Sequence, residues 1–286
     1  MNKIYKKARA KINLTLNVLD KREDNYHNIE SVFQKVSLYD EIYVSKTNKH
    51  DDIRIETNVA NLEGENNIIY KAYQLLKNKY IQIKGVDVVL KKNIPVQAGL
   101  GGGSTDCGGF IECMNKLFDL KLSRRDMQDI GAKLGADVPS TFYNTPIIAR
   151  GIGEKIEEIK SNAKLYILII KPEFSCNTKE MYEKLDKGNS ICQKYNTEIM
   201  RRALEEGDII KIANNLYNVF ETAVEDIENI KNELLSVGAI GSLMSGSGSA
   251  VYGIFENKNR AKIGYETMKS KYRTYYCVSY KMWRKE

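Results

Sequence analysis

Apolar and polar residues alternate strictly over residues 12–18, and this pattern predicts a half-buried strand. A short β-branched run over residues 86–90 predicts a second strand. Apolar residues recur at helical spacing over residues 68–76 and again over residues 107–118, which predicts two helices. The first part of the chain therefore mixes both kinds of element.

Further along, Ser123 and Asp126 have capping-box spacing and predict another helix, which Gly135 closes. The elements expected beyond residue 151 are strands at 165–170, 239–244, 250–255 and 274–281, helices between about 178 and 237, and a helix over 257–271. Strand-helix-strand units on an antiparallel sheet that helices cover on one face make an α+β protein. The length of 286 residues favours two domains, and we place them at residues 1–158 and 159–286.

A glycine-rich segment joins the strand at 86–90 to the helix that follows. It reads Pro95-Val96-Gln97-Ala98-Gly99-Leu100-Gly101-Gly102-Gly103-Ser104-Thr105-Asp106. We expect Ser104 or Thr105 to be the N-cap of the helix, whose unpaired N–H groups and dipole attract anions. The alternative is an ordinary flexible loop, but a run of glycines before a capped helix is expensive in backbone entropy. The segment is therefore interpreted as a phosphate-binding loop.

This loop belongs to neither common nucleotide-binding type. A Walker A loop needs a lysine after its last glycine, and no lysine lies between Lys92 and Lys116. The dinucleotide pattern GxGxxG fails because Ser104 or Asp106 stands in its last glycine position.

Composition adds limits of its own. The net charge of +7 is spread along the chain and agrees with an anionic ligand without requiring one. The five cysteines show no CxxC pair, so we expect reduced thiols in place of a disulfide frame or a zinc site. The longest strongly apolar run, residues 165–170, is too short to cross a bilayer, and no signal-peptide pattern is visible. These features predict a cytoplasmic protein without a membrane partner. The sequence does not distinguish a monomer from a homodimer.

Three other segments could carry chemistry. Lys11 and Asn13 share one face of the first strand, although a basic strand end is the simpler interpretation. Asp137 lies between a helix end and Pro139, where it is either an N-cap or a carboxylate that takes a proton from a substrate hydroxyl. Residues 244–249, Met-Ser-Gly-Ser-Gly-Ser, form either a plain hairpin turn or a backbone that passes close to a ligand.

Taken together and in order, these segments resemble the GHMP kinases, small-molecule ATP kinases named for galactokinase, homoserine kinase, mevalonate kinase and phosphomevalonate kinase. The resemblance rests on AxAKINL from Ala8, GLGGGST from Gly99, LGADVP from Leu134 and MSGSGS from Met244. Each motif alone is weak, whereas the ordered set spans nearly the whole chain. The resemblance implies an ATP-binding N-terminal domain like part of ribosomal protein S5, and a ferredoxin-like C-terminal domain that holds the substrate.

The resemblance also implies roles for individual residues. Lys11 and Asp137 are the expected catalytic pair, a cation beside the transferred phosphoryl group and a base for the acceptor hydroxyl. The residues expected to bind ATP are Pro95, Ala98, Gly99, Leu100, Gly101, Gly102, Gly103, Ser104 and Thr105. The expected cofactors are ATP and Mg²⁺, with the Ser104 hydroxyl as the candidate metal ligand.

Residues 21–34, KREDNYHNIESVFQ, are similar to the KRxDGYHxxx(S/T)VFQ stretch of one branch of the family. Members of that branch phosphorylate the 2-hydroxyl of a methylerythritol that carries cytidine diphosphate, in the non-mevalonate route to isoprenoid precursors. The likeness implies that Tyr26 stacks on cytosine and His27 hydrogen-bonds its edge. Without the family context, His27 would be a capping or core histidine. Asn13 and Thr178 are further implied substrate contacts, and Tyr182 supports the same wall.

Two alternatives stay open at this point. One is a GHMP kinase for another alcohol, such as mevalonate or homoserine, against which the Tyr26-His27 segment argues. The other is an RNA-binding protein with an S5-like domain, since fold alone does not decide function. Against RNA, the positive charges do not form a stripe with interleaved aromatic residues, and a phosphate loop together with an acidic motif is more than RNA binding requires, so no nucleic-acid partner is expected.

The chain departs from the family pattern in three places. Arg9 replaces a proline, which makes the strand entry less rigid. Asn25 replaces a glycine, but asparagine tolerates a left-handed φ better than other residues with a side chain. Gly108 and Gly109 replace alanines in the opening turns of a helix, a loss of about 1 kcal/mol each that a close helix or ligand contact would explain.

Overall fold

The structure is a computed structural model that describes residues 2–188, 196–224 and 226–280. Its strands are β1 (Lys3–Lys21), β2 (His27–Lys46), β3 (Ile53–Thr57), β4 (Val86–Lys91), β5 (Ile147–Gly151), β6 (Lys155–Glu158), β7 (Tyr166–Lys171), β8 (Tyr217–Asn218), β9 (Gly241–Met244), β10 (Val251–Phe255) and β11 (Arg273–Val278). Its helices are α1 (Ile68–Lys79), α2 (Gly102–Leu117), α3 (Arg124–Ala132), α4 (Thr178–Lys187), α5 (Thr197–Glu206), α6 (Ile209–Asn214), α7 (Ile227–Ser236) and α8 (Lys258–Met268). Each strand and helix named from the sequence is present, although β1 begins nine residues before the strand predicted at residues 12–18.

The chain forms two compact units that interleave along the sequence. The first unit comprises residues 1–10, 38–94 and 101–142, and the second comprises residues 11–37, 95–100 and 143–286. Strands β1 and β2 contribute residues to both units. Each unit is made of several separate segments, so this division does not test a single boundary between residues 158 and 159. That boundary stays a prediction.

In the first unit, helices pack on a sheet whose strand order is β3-β4-β2-β1. Strand β4 pairs with β3 in parallel and with β2 antiparallel, so that Val88 lies between Ile55 and Val44. The apolar face of this sheet meets α1 and α2 in one core, in which Tyr73 and Phe110 are fully buried. Burial of such large apolar side chains is the main stabilising contribution to this unit.

Gly108 and Gly109 on α2 are explained by this packing. A Cβ atom on Gly108 would overlap the Thr141 hydroxyl, and one on Gly109 would lie 3.0 Å from Ile42 Cδ1. Gly108 therefore admits a close contact with Thr141 in a short helix at residues 139–142, as one of the two expectations had it, whereas Gly109 admits a close contact with strand β2.

The helix ends test the capping predictions. The capping box of Ser123 and Asp126 at the start of α3 is confirmed. However, α3 ends at Ala132 with Lys133 as its C-cap, so Gly135 does not close it. The N-cap predicted for α2 is also wrong: Gly101 occupies that position with φ +68°, and Ser104 and Thr105 lie within the first turn of the helix.

In the second unit, an antiparallel sheet of four strands has the order β11-β7-β10-β9. If the four strands are renumbered 1 to 4 in chain order, their order across the sheet is 4-1-3-2. Helix α7 precedes β9, and α8 lies between β10 and β11 in the chain. This is the split βαβ arrangement of a ferredoxin-like domain. Strand β1 pairs in parallel with β8 through Thr15 and Tyr217. The prediction that residues 12–18 are buried on one face only is wrong. The polar residues Asn13, Thr15 and Asn17 are buried as well, so both faces of this stretch lie inside the protein.

One expectation about charge is wrong. On the outer side of β1 and β2, cations do alternate with aromatic rings: Lys7 Nζ lies 4.4 Å from the Tyr39 ring centroid and Lys3 Nζ lies 5.2 Å from that of Tyr43. The stripe arises because alternate residues of β1 project to one face, a feature that a count of charges along the chain does not reveal.

Cysteines 107, 113, 176 and 277 are free thiols, and Cys192 lies outside the described residues. None of the described helices combines the length and the apolarity needed to cross a membrane.

Candidate active site

Lys11 and Asn13 form the start of a polar chain of hydrogen bonds on β1. Lys11 Nζ donates to Asn13 Oδ1 over 2.8 Å, and Asn13 Nδ2 donates to Ser31 Oγ on β2 over 2.8 Å. The Lys11 ammonium also lies 4.7 Å from the Phe33 ring centroid. Asn13 and Ser31 are buried, whereas Lys11 is partly exposed. The prediction that Lys11 and Asn13 share one strand face is confirmed, and the arrangement holds the lysine side chain in a defined position.

Residues 95–100, the first half of the predicted phosphate loop, belong to the second unit. Three successive carbonyl groups accept hydrogen bonds from protein donors: that of Ala98 from Ala250 N–H, that of Gly99 from Ser245 Oγ and that of Leu100 from Lys11 N–H. A loop that binds an anion must turn its carbonyl oxygens away from it, and these three are already engaged. Their partners fix the path of the backbone into the helix.

The second small-residue segment, residues 244–249, packs against this half of the loop. It connects β9 to β10 as a hairpin, and its backbone passes so close to the loop that a Cβ on Gly99 would overlap the Ser245 carbonyl. Gly99 also has φ +71°, a value that residues with a side chain rarely adopt. The hairpin interpretation is confirmed. The backbone of this segment lies against another loop of the protein, and its passage beside a ligand stays a prediction.

Residues 101–105, the second half of the loop, form the N-terminus of α2 in the first unit. The N-cap Gly101 has no side chain, so no side-chain hydrogen bond caps this helix end. A Cβ atom on Gly103 would meet nothing within 4 Å. The Thr105 hydroxyl donates to the Arg9 carbonyl over 2.8 Å and ties the first turn to β1. An uncapped helix start with open space beside it suits an anion.

A buried charge cluster that sequence reasoning missed lies under this turn. Lys92 Nζ forms ion pairs with Asp40 Oδ2 and Asp106 Oδ2, and the side chains of all three residues are at most 4% exposed. Lys92 Nζ would lie 3.3 Å from a Cβ on Gly102, so the ammonium sits directly beneath the start of α2. The sequence signal was an Asp that ends the glycine-rich segment and a Lys three residues before the segment begins.

The ionisation of this cluster follows from its burial. Burial raises the pKa of Asp106 well above its ordinary value; the Lys92 ammonium opposes the rise and the Asp40 carboxylate adds to it. Burial also opposes the charge of Lys92, but the two carboxylates together hold its pKa above the ordinary value. The cluster is therefore neutral when Asp106 carries a proton.

Asp137 lies just before a single turn of 3₁₀ helix, residues 139–142, in the first unit. Its carbonyl accepts the Ser140 hydroxyl over 2.6 Å, and its side chain is half-buried. Pro139 is the first residue of this 3₁₀ helix. The catalytic role of Asp137 stays a prediction.

Tyr26 and His27 differ sharply in exposure although they are neighbours. Tyr26 is 59% exposed in the turn before β2, where Asn25 adopts φ +65° as the sequence predicted. His27 is 8% exposed; its ring stacks on Tyr182 with centroids 4.8 Å apart, and its Nε2 lies 2.8 Å from Asp186 Oδ1. An exposed ring beside a fixed imidazole suits recognition of a planar base.

Thr178 begins α4, and its hydroxyl lies 2.8 Å from the Ser247 hydroxyl of the second small-residue segment. Among the residues that the structure describes, no three or more His, Cys, Asp and Glu side chains group as metal ligands.

Comparison with known proteins places this geometry in a family. The family model of the GHMP kinases N-terminal domain matches residues 67–151, and that of the GHMP kinases C-terminal domain matches residues 200–274. The chain therefore belongs to the GHMP kinases and is an ATP-dependent phosphotransferase. The family resemblance and the α+β fold class expected from the sequence are both confirmed.

Curated relatives lie in one branch of this family. A protein of Clostridioides difficile named 4-diphosphocytidyl-2-C-methyl-D-erythritol kinase is 39% identical over 98% of this chain and 96% of its own length. A protein of Caldicellulosiruptor saccharolyticus with the same name is 43% identical over 88% of each chain.

Solved structures agree with this placement. A crystal structure of 4-(cytidine 5'-diphospho)-2C-methyl-D-erythritol kinase superposes with a TM-score of 0.81 at 26% identity, over 96% of this chain and 99% of its own. The homoserine kinase of Cytophaga hutchinsonii shares the fold, with a TM-score of 0.75 at 18% identity over 98% of this chain and 95% of its own.

Proposed function

We propose that this protein transfers the γ-phosphoryl group of ATP to the 2-hydroxyl of 4-diphosphocytidyl-2-C-methyl-D-erythritol, with ADP and the 2-phosphate as products. The observation that carries the proposal is the identity of 39% over 98% of the chain to a relative of that name. The segment over residues 21–34, similar to the same branch, supports it.

The triphosphate of ATP binds at the start of α2. There the helix offers the N–H groups of its first turn and the positive end of its dipole, and the N-cap Gly101 lets the backbone approach the anion. Ser104, in the same turn, adds a hydroxyl group. Pro95, Ala98, Gly99 and Leu100 are further proposed ATP contacts, and hydrogen bonds to the carbonyl groups of the last three fix the shape of the loop.

Mg²⁺ accompanies ATP in this proposal, and the residues at the start of α2 offer it one protein ligand. Magnesium at phosphate sites keeps several waters and uses few protein ligands beside the phosphate oxygens. Asp106 is engaged by Lys92 and buried, so the Ser104 hydroxyl is the candidate protein ligand. When bound, the metal neutralises the charge of the phosphate oxygens.

Lys11 and Asp137 carry the chemistry. Phosphoryl transfer needs positioning and neutralisation of charge more than covalent help, and Lys11 supplies a fixed cation for the transferred group. Asp137 orients the acceptor hydroxyl and takes its proton as the new P–O bond forms.

The acceptor binds through its cytidine end and its methylerythritol end. Tyr26 supplies an exposed ring for the base, and His27 supplies a hydrogen-bonding edge. Asn13 and Thr178 are further contacts of the acceptor. The enzyme works in the cytoplasm on this small molecule, as a monomer or a homodimer and without a nucleic-acid or membrane partner.

The test is direct phosphorylation. Purified protein, ATP and Mg²⁺ are incubated with the cytidine-diphosphate acceptor, and phosphorus NMR follows the product. The proposal is supported by a new phosphate monoester resonance that is assigned to the 2-position of the acceptor. This resonance should be absent with the Lys11→Met and Asp137→Asn variants. ADP formation without that resonance, or product at another hydroxyl, contradicts the proposal.

A further inference from the structure

The imidazole of His27 is held from two sides by one helix. Tyr182 and Asp186 are four residues apart on α4 and therefore project from the same helix face. Tyr182 stacks on the ring at an interplanar angle of 19°, and the Tyr182 ring in turn meets the edge of Phe220 with centroids 4.9 Å apart. Asp186 Oδ1 lies 2.8 Å from Nε2. The orientation of the His27 ring is thus fixed by packing and by a hydrogen bond.

The carboxylate of Asp186 is fixed as well. Its second oxygen, Oδ2, accepts from Lys21 Nζ over 2.6 Å at the end of β1. The hydrogen bond from Lys21, followed by that from His27, holds the pKa of Asp186 below its ordinary value. An ionised carboxylate can only accept, so the His27 nitrogen that faces it must carry the proton.

The other ring nitrogen, Nδ1, has no hydrogen-bond partner among the described residues 2–188, 196–224 and 226–280. In a neutral imidazole with its proton on Nε2, Nδ1 is an acceptor. Its lone pair is therefore not used by any of the described residues.

We propose that Asp186, oriented by Lys21, is a positioning residue that keeps the proton of His27 on Nε2 and thereby makes Nδ1 an acceptor that selects a pyrimidine with an exocyclic amino group. The inference rests on the proposed function, because it assigns His27 to the base of the acceptor. The amino group of cytosine donates to Nδ1, whereas the corresponding carbonyl of uracil would place two acceptors against each other. Sites that pair a buried polar group with the substrate reject the mismatched analogue strongly.

The Lys21 contact makes the proposal testable with an isosteric change. In an Asp186→Asn variant, the amide must turn its oxygen to the Lys21 ammonium, so its NH₂ group faces His27 Nε2. That nitrogen must then accept, and the proton moves to Nδ1. In the double variant Lys21→Met with Asp186→Asn, the amide is free to turn its oxygen to Nε2–H, and the original tautomer returns.

Nitrogen-15 NMR of histidine-labelled protein reads the tautomer without any substrate. The chain has only two histidines, so a His50→Gln variant assigns the spectrum. At pH 8 we expect the Nε2–H tautomer for His27 in the wild type, the Nδ1–H tautomer with Asp186→Asn, and the Nε2–H tautomer again in the double variant. An Nδ1–H tautomer in the wild type, or no change with Asp186→Asn, overturns the proposal.

Kinetics then connect the tautomer to specificity. With the cytidine acceptor and its uridine analogue, we expect Asp186→Asn to lower the ratio of kcat/KM values at least tenfold, through KM and not kcat. Asp186→Glu and the double variant should recover most of the ratio. Glu183→Gln, on the same helix with its carboxylate exposed, is the matched control and should leave the ratio unchanged.

These experiments distinguish a failure of the proposed function from a failure of the role proposed for Asp186. If the wild type does not phosphorylate the cytidine acceptor, the proposed function falls, and the NMR result still decides the role of Asp186. If the wild type is active but Asp186→Asn keeps its preference for cytidine, or the double variant shows no recovery, the role of Asp186 in specificity is refuted while the proposed function stands.

Discussion

The Asp106→Asn substitution tests the buried cluster beneath the start of α2. Lys92 faces two carboxylates, those of Asp40 and Asp106, and none of the three side chains is more than 4% exposed. Asp40 has further partners in the N–H groups of Asn93 and Ile94, whereas Asp106 Oδ1 has no hydrogen-bond partner in the described part of the chain. Fewer hydrogen bonds therefore stabilise the charge of Asp106 than that of Asp40.

The sign of the effect follows from linkage. Burial raises the pKa of Asp106 in the folded state well above its ordinary value of 3.8. The stabilising contribution of such a group is complete below its unfolded pKa and is lost as the pH rises through its folded pKa. Over that window the wild type loses about 1.4 kcal/mol of unfolding free energy per pH unit from this group. Asparagine does not titrate, so the variant should gain stability relative to the wild type as the pH rises.

The assay is urea unfolding of the ligand-free protein, followed by circular dichroism at intervals from pH 4.5 to pH 8.5. We expect the difference in unfolding free energy, variant minus wild type, to rise with pH from its value at the acid end. Asp119→Asn, with its side chain exposed, is the matched control for the loss of one carboxylate. A difference that is constant across the range, or that falls, would refute the reasoning about Asp106.

Other predictions address the proposed site. Asp137→Asn should lower kcat a hundredfold or more while ATP binding, measured by calorimetry, is retained; turnover near that of the wild type would remove Asp137 from its role. Tyr26→Ala should weaken the acceptor by about 1–3 kcal/mol, the contribution of one base stack, and leave the KM for ATP unchanged; an equal loss for ATP would place the base elsewhere. Gly103→Ala should not lower the thermal midpoint, because its Cβ meets nothing within 4 Å and alanine favours the helix more than glycine does, but it should raise the KM for ATP. Gly99→Ala, whose Cβ would overlap the Ser245 carbonyl at φ +71°, should lower the thermal midpoint; an unchanged midpoint would show that the two loops are not packed as described.

The sequence predicted the parts of the fold that local patterns control. The capping box at Ser123, the left-handed turn at Asn25 and the strand at 86–90 depend on residues close together in the chain, and each is present. The N-cap of α2 was misplaced, because serine and threonine are preferred caps in general while here the glycine with the left-handed conformation takes that position.

Contacts between distant residues lay beyond the sequence patterns. Asp40 and Lys92 are 52 positions apart, and Lys21 and Asp186 are 165 apart, so no local spacing brings either pair together. The alternation over residues 12–18 predicted one buried face, whereas the sheets and loops that cover both faces come from remote segments. The i to i+4 spacing of Tyr182 and Asp186 was visible, but its meaning depends on His27 lying across from both.

We expect this kinase to act on an alcohol that carries cytidine diphosphate. The most direct measurement is ADP release by the purified protein with ATP and Mg²⁺, comparing kcat/KM for 4-diphosphocytidyl-2-C-methyl-D-erythritol, mevalonate, homoserine and galactose under the same conditions. We predict turnover with the first acceptor and rates at the level of the acceptor-free background with the other three. Turnover that is faster with mevalonate, homoserine or galactose than with the cytidine compound would contradict the claim.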